Sequence, residues 1–431
     1  MFSQLVGNYF VEKGILTANV MEEILKEQNE ARVKLGTIAV AEKMLTEKQT
    51  EEINHLQTQM DMRFGDIAVD KGYLTEEEVK LLLKKQGNIY MKFIQLILEK
   101  TDVSLDDIEK TVEEFKKEKG FSTEEMNALK QDDIDAIVPM FAFSAKPYVT
   151  DIVGLVLRNI TRFVSTNFYI ERMHRVTEFK YKFIAGQKVA GDHSVYLAFA
   201  TDEQTDGICL LASRFAKDTI TEIGDDAADA VGEFANTNNG IFASELSKKN
   251  ILMDMDPPFA YMDQVIEGNG YVLDIYIEGK KVSLYIAVDE EISIGKEPYV
   301  YEHKHVEGTV VRDDHKGTVV IVDDSRMIRK MLRGILEEEG YAVIAEAKNG
   351  IEAVEAYKQH KPDIITLDIT MPQKDGVEAL KEIVEYDKNA NVIMITAAGQ
   401  QQKVIQALKI GASKFVMKPF RKEDVMKGFE L

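Results

Sequence analysis

The sequence predicts several folded units: an all-α region of helical repeats, a central α+β domain, and a C-terminal α/β domain built on a parallel sheet. Three observations predict it. A 29-residue period runs through the first 90 positions, the pattern turns to mixed helix and strand after about residue 130, and five short apolar runs alternate with amphipathic segments from residue 317 onward. With 431 residues the chain has room for about three domains.

The first unit is read from self-similarity. Gly7, Gly36 and Gly65 recur at the period, as do Leu16, Leu45 and Leu74, then Thr17, Thr46 and Thr75, then Gln28, Gln57 and Gln86. Each repeat reads as a short helix, a turn and a longer helix. The threonines stand at N-cap positions, and acidic residues follow Thr46 and Thr75 in the first helical turn. The charged stretch from Ile89 to Lys130 is expected to form two helices, divided at Gly120 and Ser122.

In the middle of the chain, Ser194–Ala200 and Gly207–Ala212 read as strands, and Tyr271–Glu278 with Lys281–Val288 as a hairpin turning at Gly279 and Lys280. The sole cysteine, Cys209, sits in an apolar run and is expected to be a buried small hydrophobe; an intramolecular disulfide is impossible. The stretch from Asp225 to Gly240 reads as a helix with an apolar stripe of Ala228, Val231 and Ala235. Glu233 and Asn236 are i, i+3 neighbours, and the pattern alone puts them on an exposed face. Residues 296–316 lack an apolar period and read as a linker. His303 and His305 within it could bind a metal, but a solvated linker is the preferred reading.

Hydrophobic residues make up 45% and charged residues 29%, a globular composition that excludes a largely disordered chain. Apolar runs such as Ile152 to Leu157 fall far short of the ~20 residues that span a bilayer. Met1–Gly14 has no secretory pattern, so a cytoplasmic location is expected. The net charge of −21 argues against nucleic acid and anionic membranes as partners. That charge is uneven: residues 131–315 carry 17 basic and 31 acidic side chains, whereas residues 316–431 carry 18 of each.

The C-terminal apolar runs are TVVIVD, YAVIAE, DIITLD, NVIMIT and KFVMK. In a parallel α/β sheet, function collects at the carboxyl ends of the strands. There Asp323 and Asp324 end the first run, Asp368 the third, Thr396 the fourth and Lys418 the fifth. Three converging carboxylates repel one another unless a cation intervenes, and an all-oxygen site suits Mg²⁺. Asp368 is then a candidate phosphoryl acceptor, with Lys418 and the Thr396 hydroxyl as partners for phosphoryl oxygens.

Residues 317–431 resemble the receiver domain of two-component response regulators. Besides those five residues they carry Asp368-x-x-Met371-Pro372-x-x-x-Gly376, Asn349-Gly350 and Lys418-Pro419-Phe420. The resemblance implies a five-stranded sheet of order 2-1-3-4-5, a cis peptide before Pro419, and phosphorylation of Asp368 by a histidine kinase. It also implies Mg²⁺ held by Asp323, Asp324, Asp368 and the carbonyl of Thr370, with Phe415 as the switch aromatic. Phenylalanine there lacks the hydroxyl of the commoner tyrosine. The sequence ends soon after Phe420, so output is expected upstream.

The Glu233-x-x-Asn236 helix, the Asn250–Phe259 stretch and the closing hairpin resemble the CheX and CheC class of chemotaxis phosphatases. That resemblance implies that Asn236 orients a water on a receiver aspartyl phosphate while Glu233 pairs with Lys418 of the docked receiver, Ala398 being small enough to admit the visitor. Where a CheC-type protein carries a second such helix, Asp151–Asn159 here has Leu155 and Arg158, so one active helix is expected. The N-terminal repeats resemble the MshE-type domain of type IV pilus and type II secretion ATPases, which implies a cyclic di-GMP site at Arg63, Gly65, Gly72 and Gln86. Lys43, Ala39 and Ala68 depart from that pattern, so a purely structural array is the preferred reading and nucleotide binding the alternative.

The expected domains are therefore 1–130 helical repeats, 131–295 CheX-like, 296–316 linker and 317–431 receiver. The expected function is hydrolysis of the aspartyl phosphate of a CheY-type receiver, its own or a separate one. The alternative is a noncatalytic phospho-switch or scaffold that docks or forms a homodimer.

Overall fold

The computed structural model describes residues 1–30, 34–59, 62–85, 89–299, 315–397 and 399–429. Gln86, His303, His305 and Ala398 lie outside the described residues. Two compact units are present, residues 1–174 with 273–280, and residues 175–272 with 281–431. Among the described residues no helix is long and apolar enough to cross a membrane.

In the first unit the 29-residue period becomes three helix pairs: α1 (Phe2–Glu12) with α2 (Ala18–Glu30), α3 (Leu35–Ala41) with α4 (Glu47–Gln59), and α5 (Phe64–Asp70) with α6 (Glu76–Lys85). The recurring glycine is explained by contact. A Cβ on Gly7, Gly36 or Gly65 would lie 2.4–2.7 Å from Met21, Thr50 or Val79, each fourteen residues further on, so a larger residue would have to displace the facing side chain where the paired helices cross. Thr46 accepts from the Gln49 N–H at 3.2 Å and Gln49 Oε1 accepts from Thr46 N–H at 2.9 Å; Thr75 and Glu78 repeat this reciprocal cap. Leu16, Leu45 and Leu74 are buried at the turns.

Beyond the repeats come α7 (Ile89–Lys100), α8 (Leu105–Lys119), α9 (Thr123–Lys130), α10 (Ile134–Phe141), α11 (Val149–Asn159) and β1 (Phe168–Ile170), which pairs antiparallel with residues 275–277. The stretch expected to hold two helices therefore holds three. Ser104 accepts from the Asp107 N–H at 3.2 Å and starts α8, a cap that the charge periodicity conceals, while left-handed Gly120 and the Ser122–Glu125 capping box make the expected break.

The second unit opens with β2 (His174–Gly191), β3 (Ser194–Thr201), α12 (Asp206–Ala216), α13 (Asp225–Ser247), β4 (Met253–Met255), β5 (Phe259–Ile277) and β6 (Lys280–Val288), in strand order β5-β6-β3-β2-β4. Gly207–Ala212 is helical, not a strand. Ile208, Leu211 and Ala212 form an i, i+3, i+4 stripe, and Cys209 is buried beside it, so the run looks uniformly apolar. The hairpin at Gly279 forms, with Gly279 at φ +80. Phe234 of α13 packs against Phe199 of β3 and Phe215 of α12, with ring centroids 5.1 and 5.2 Å away.

The rest of this unit is five βα repeats: β7 (Thr318–Val322), α14 (Arg326–Glu338), β8 (Ala342–Ala347), α15 (Gly350–His360), β9 (Ile364–Asp368), α16 (Gly376–Tyr386), β10 (Val392–Ala397), α17 (Gln401–Ile410), β11 (Lys414–Lys418) and α18 (Lys422–Phe429). All strand pairs are parallel and the order is β8-β7-β9-β10-β11, the expected 2-1-3-4-5. Alternation along each strand divides the core. Val320, Val322, Leu367 and Met394 face α15 and α16, whereas Val319, Ile321, Ile393 and Ile395 face α14 and α18.

Candidate functional site

The carboxyl ends of β7, β9, β10 and β11 bring the expected residues together. Lys418 Nζ lies 2.8 Å from Asp323 Oδ2 and 3.0 Å from Asp368 Oδ1. Asp323 Oδ1 accepts from the Ser325 N–H at 3.0 Å, and Asp368 Oδ2 accepts from the Thr370 N–H at 3.0 Å. The Lys418–Pro419 peptide is cis. Gly376 has a steric reason: a Cβ there would stand 1.8 Å from the Asp368 carbonyl oxygen, so the loop after the acceptor closes only over glycine.

Helix α13 covers this site. Glu233 and Asn236, expected on an exposed face, are 4% and 7% exposed. The apolar stripe of α13 packs on its own sheet, and its opposite face lies on the strand ends of the βα repeats, so both sides of the helix are covered. Glu233 Oε1 stands 3.9 Å from Lys418 Nζ. Asn236 Nδ2 donates to both Glu233 oxygens at 3.3 and 3.4 Å. Gly399, at φ +87, comes so near that a Cβ would lie 2.9 Å from Gly240 O and from Ala243 Cβ.

The charges are crowded. Burial raises Asp368 to about 7 against the pull of Lys418, and burial with the Asp323 and Asp368 charges raises Asp324 well above the carboxylate range. Glu233 is raised by burial, and Asp229 by burial to about 7. Burial pulls Lys418 down, but Asp323, Asp368, Glu233 and Asp324 outweigh it and hold its ammonium well above the ordinary value. Such a surplus of hard oxygen donors around one ammonium fits a divalent cation such as Mg²⁺. Among the described residues, one oxygen each of Glu233, Asp323 and Asp324 lies within 4.8 Å of the others; Asp368 stands outside this group, held by Lys418.

Several residues that organise the site escaped the sequence reading. Gln187 on β2 donates to Asn236 Oδ1 at 2.9 Å and to the Asp256 carbonyl at 2.8 Å, and it accepts from Asn239 Nδ2 at 3.1 Å. It therefore sets which end of the Asn236 amide faces the strand ends. Arg329 Nη1 donates to the carbonyls of Asp323 and Asp324 at 2.6 and 3.1 Å, bracing the acidic turn from α14. Gln400 accepts from the Thr396 hydroxyl at 2.8 Å and donates to Thr370 Oγ1, tying the loops after β10 and β9 together. Asp229 accepts from the Met327 N–H in the first turn of α14. Only Asp229 had a local signal: it precedes Glu233 by one helical turn.

Phe415 lies on β11 and is 46% exposed. In the first unit each described residue of the expected nucleotide site has a structural role. Arg63 pairs with Asp133 at 3.1 Å and with Asp135, Gly65 packs on Val79, and Gly72 makes a turn at φ +68.

Comparison with known proteins identifies one region. Residues 319–430 match the family described as the response regulator receiver domain. Chemotaxis protein CheY of Bacillus subtilis is 50% identical over 108 residues, 25% of this chain and 90% of that protein; CheY of Thermotoga maritima is 52% identical over the same length and shares. Among solved structures, a chain of the CheX-CheY-BeF3-Mg complex from Borrelia burgdorferi is 46% identical, covering 26% of this chain and 85% of that one, with a TM-score of 0.26.

Proposed function

The chain belongs to the response-regulator receiver family through residues 319–430, and from that premise we propose that it also carries the phosphatase for its own phosphorylated receiver. In this reading residues 317–431 are the receiver, 131–295 hold the CheX-like domain, 296–316 link them, and a histidine kinase supplies the phosphoryl group. The observation that carries the reading is Glu233 at 3.9 Å from Lys418, whose ammonium lies 3.0 Å from Asp368. Phosphatase helix and phosphoryl acceptor share one site in one chain.

Asp368 accepts the phosphoryl group, and Lys418 neutralises charge on its oxygens. Thr396 can join once its hydroxyl leaves Gln400. In hydrolysis a water oxygen bonds to phosphorus as the bond to the Asp368 oxygen breaks. Inorganic phosphate leaves carrying the water's oxygen and both of its protons, and the carboxylate returns. Asn236 holds that water in line, and Glu233 fixes both Asn236 and Lys418; positioning of this kind is the main source of catalysis in phosphoryl transfer. Asp323, Asp324, Asp368 and the Thr370 carbonyl are the groups to hold Mg²⁺, which supplies further charge neutralisation when bound.

The test is the aspartyl-phosphate lifetime of the full-length protein after reaction with a small acyl phosphate and Mg²⁺, with Asp368→Asn as the unlabelled control. Asn236→Ala should lengthen the lifetime about a hundredfold, the usual scale for a lost positioning contact. The wild-type rate should not change on dilution, because a tether of this length gives an effective concentration near millimolar. Equal lifetimes would refute hydrolysis. They would leave the phospho-switch, which one observation favours: Asp368 is only 4% exposed, so a donor must displace α13 to reach it.

A further inference from the structure

Around the buried centre, the contacts between α13 with its flanks and the receiver share one polarity. Asp226 pairs with Arg326 at 3.0 Å, Asp218 pairs with Lys330, and Asp254 pairs with Lys403 at 3.2 Å. In each of these pairs among the described residues, acid stands on the CheX-like side and base on the receiver side. The regional charges agree: residues 131–315 are strongly acidic, while residues 316–431 are balanced. Arg326 and Lys330 are one turn apart at the start of α14, so a single helix face reads both acids. Asp229 adds a contact to the Met327 N–H that any receiver backbone could offer, and Glu233 meets a lysine that the phosphoryl site itself requires. Those two central contacts therefore select nothing. The rim does.

We propose that Asp218, Asp226 and Asp254 form a selectivity rim that admits a receiver with two basic residues one turn apart at the start of its first helix and a third on its fourth, the pattern of this chain's own receiver. This rests on reading α13 as the phosphatase helix and names its substrate class. Exposed charge pairs contribute little affinity singly, but juxtaposed like charges reject a wrong partner, so the rim acts chiefly by exclusion. An acidic first helix would meet the carboxylates of Asp218 and Asp226. The glycine step at Gly399 is a second filter of shape, since Gly240 O and Ala243 Cβ leave no room for a side chain.

Hydrogen exchange on the full-length protein tests the rim without any appeal to catalysis. The readout is protection of residues 325–331 and 227–243. Asp218→Lys with Asp226→Lys should speed exchange in both segments about tenfold at low salt. Adding Arg326→Glu with Lys330→Glu, which restores opposite charges in reversed order, should return it to within about twofold of wild type. All four side chains are more than half exposed, so the fold is not at stake. Unchanged exchange in the double variant, or no recovery in the quadruple variant, overturns the proposal. The phosphatase reading stands or falls separately, on the phosphate lifetime of Asn236→Ala.

Discussion

Gln187→Leu keeps the size of a fully buried side chain and removes its hydrogen bonds. Asn236 Oδ1 loses its 2.9 Å donor, the Asp256 carbonyl loses its 2.8 Å donor, and Asn239 Nδ2 loses the 3.1 Å acceptor while keeping the main-chain oxygen of residue 187 at 3.3 Å. Two orphaned acceptors at about 1 kcal/mol or more each, with part of a third bond, come to about 2–3 kcal/mol. In a unit of this size each kcal/mol lowers Tm by about 2–4 °C, so thermal unfolding followed by circular dichroism should show a drop of about 5–10 °C. The second consequence is chemical. With its oxygen released, the Asn236 amide can rotate, and the aspartyl-phosphate lifetime should lengthen at temperatures well below the new Tm. Gln187→Glu sets a buried carboxylate against the Asn236 and Asp256 oxygens to which the amide donated, so it should lengthen the lifetime with a larger Tm loss than Gln187→Leu. A Tm within about 2 °C of wild type for Gln187→Leu, with an unchanged lifetime, would refute the view that this side chain orients Asn236.

Two further outcomes follow from backbone geometry. Gly399→Ala puts a Cβ 2.9 Å from Gly240 O and Ala243 Cβ, an overpacking cost of about 1–3 kcal/mol that falls on docking; exchange in α13 should speed by at least fivefold, and wild-type protection would contradict the contact. Lys43 sits at φ +58, where the repeat-equivalent Gly14 and Gly72 have φ +71 and +68, so Lys43→Gly should stabilise the first unit by about 0.5–1 kcal/mol in urea titration; destabilisation would argue that the lysine side chain compensates for its backbone.

The chain's local patterns determined a good deal. The period of 29 required three equivalent helix pairs, because a glycine at each crossing and a threonine at each cap are short-range demands that any fold of the repeat must meet. The five apolar runs required a parallel sheet, and the rule that chemistry gathers at strand ends brings Asp323, Asp368 and Lys418 together from the pattern alone. Gly207–Ala212 was misread because a helix covered on most of its circumference loses its 3.6-residue signal. The burial of Glu233 and Asn236 was beyond any pattern in α13 itself, since what covers that face comes from residues about ninety to nearly two hundred positions later. Gln187, Gln400 and Gly399 were silent for the same reason. A hydrogen bond or a close approach between distant segments has no period, cap or spacing to announce it. Only the tertiary structure decides which polar side chain meets which, because that choice depends on the packing of whole elements and not on their local sequence.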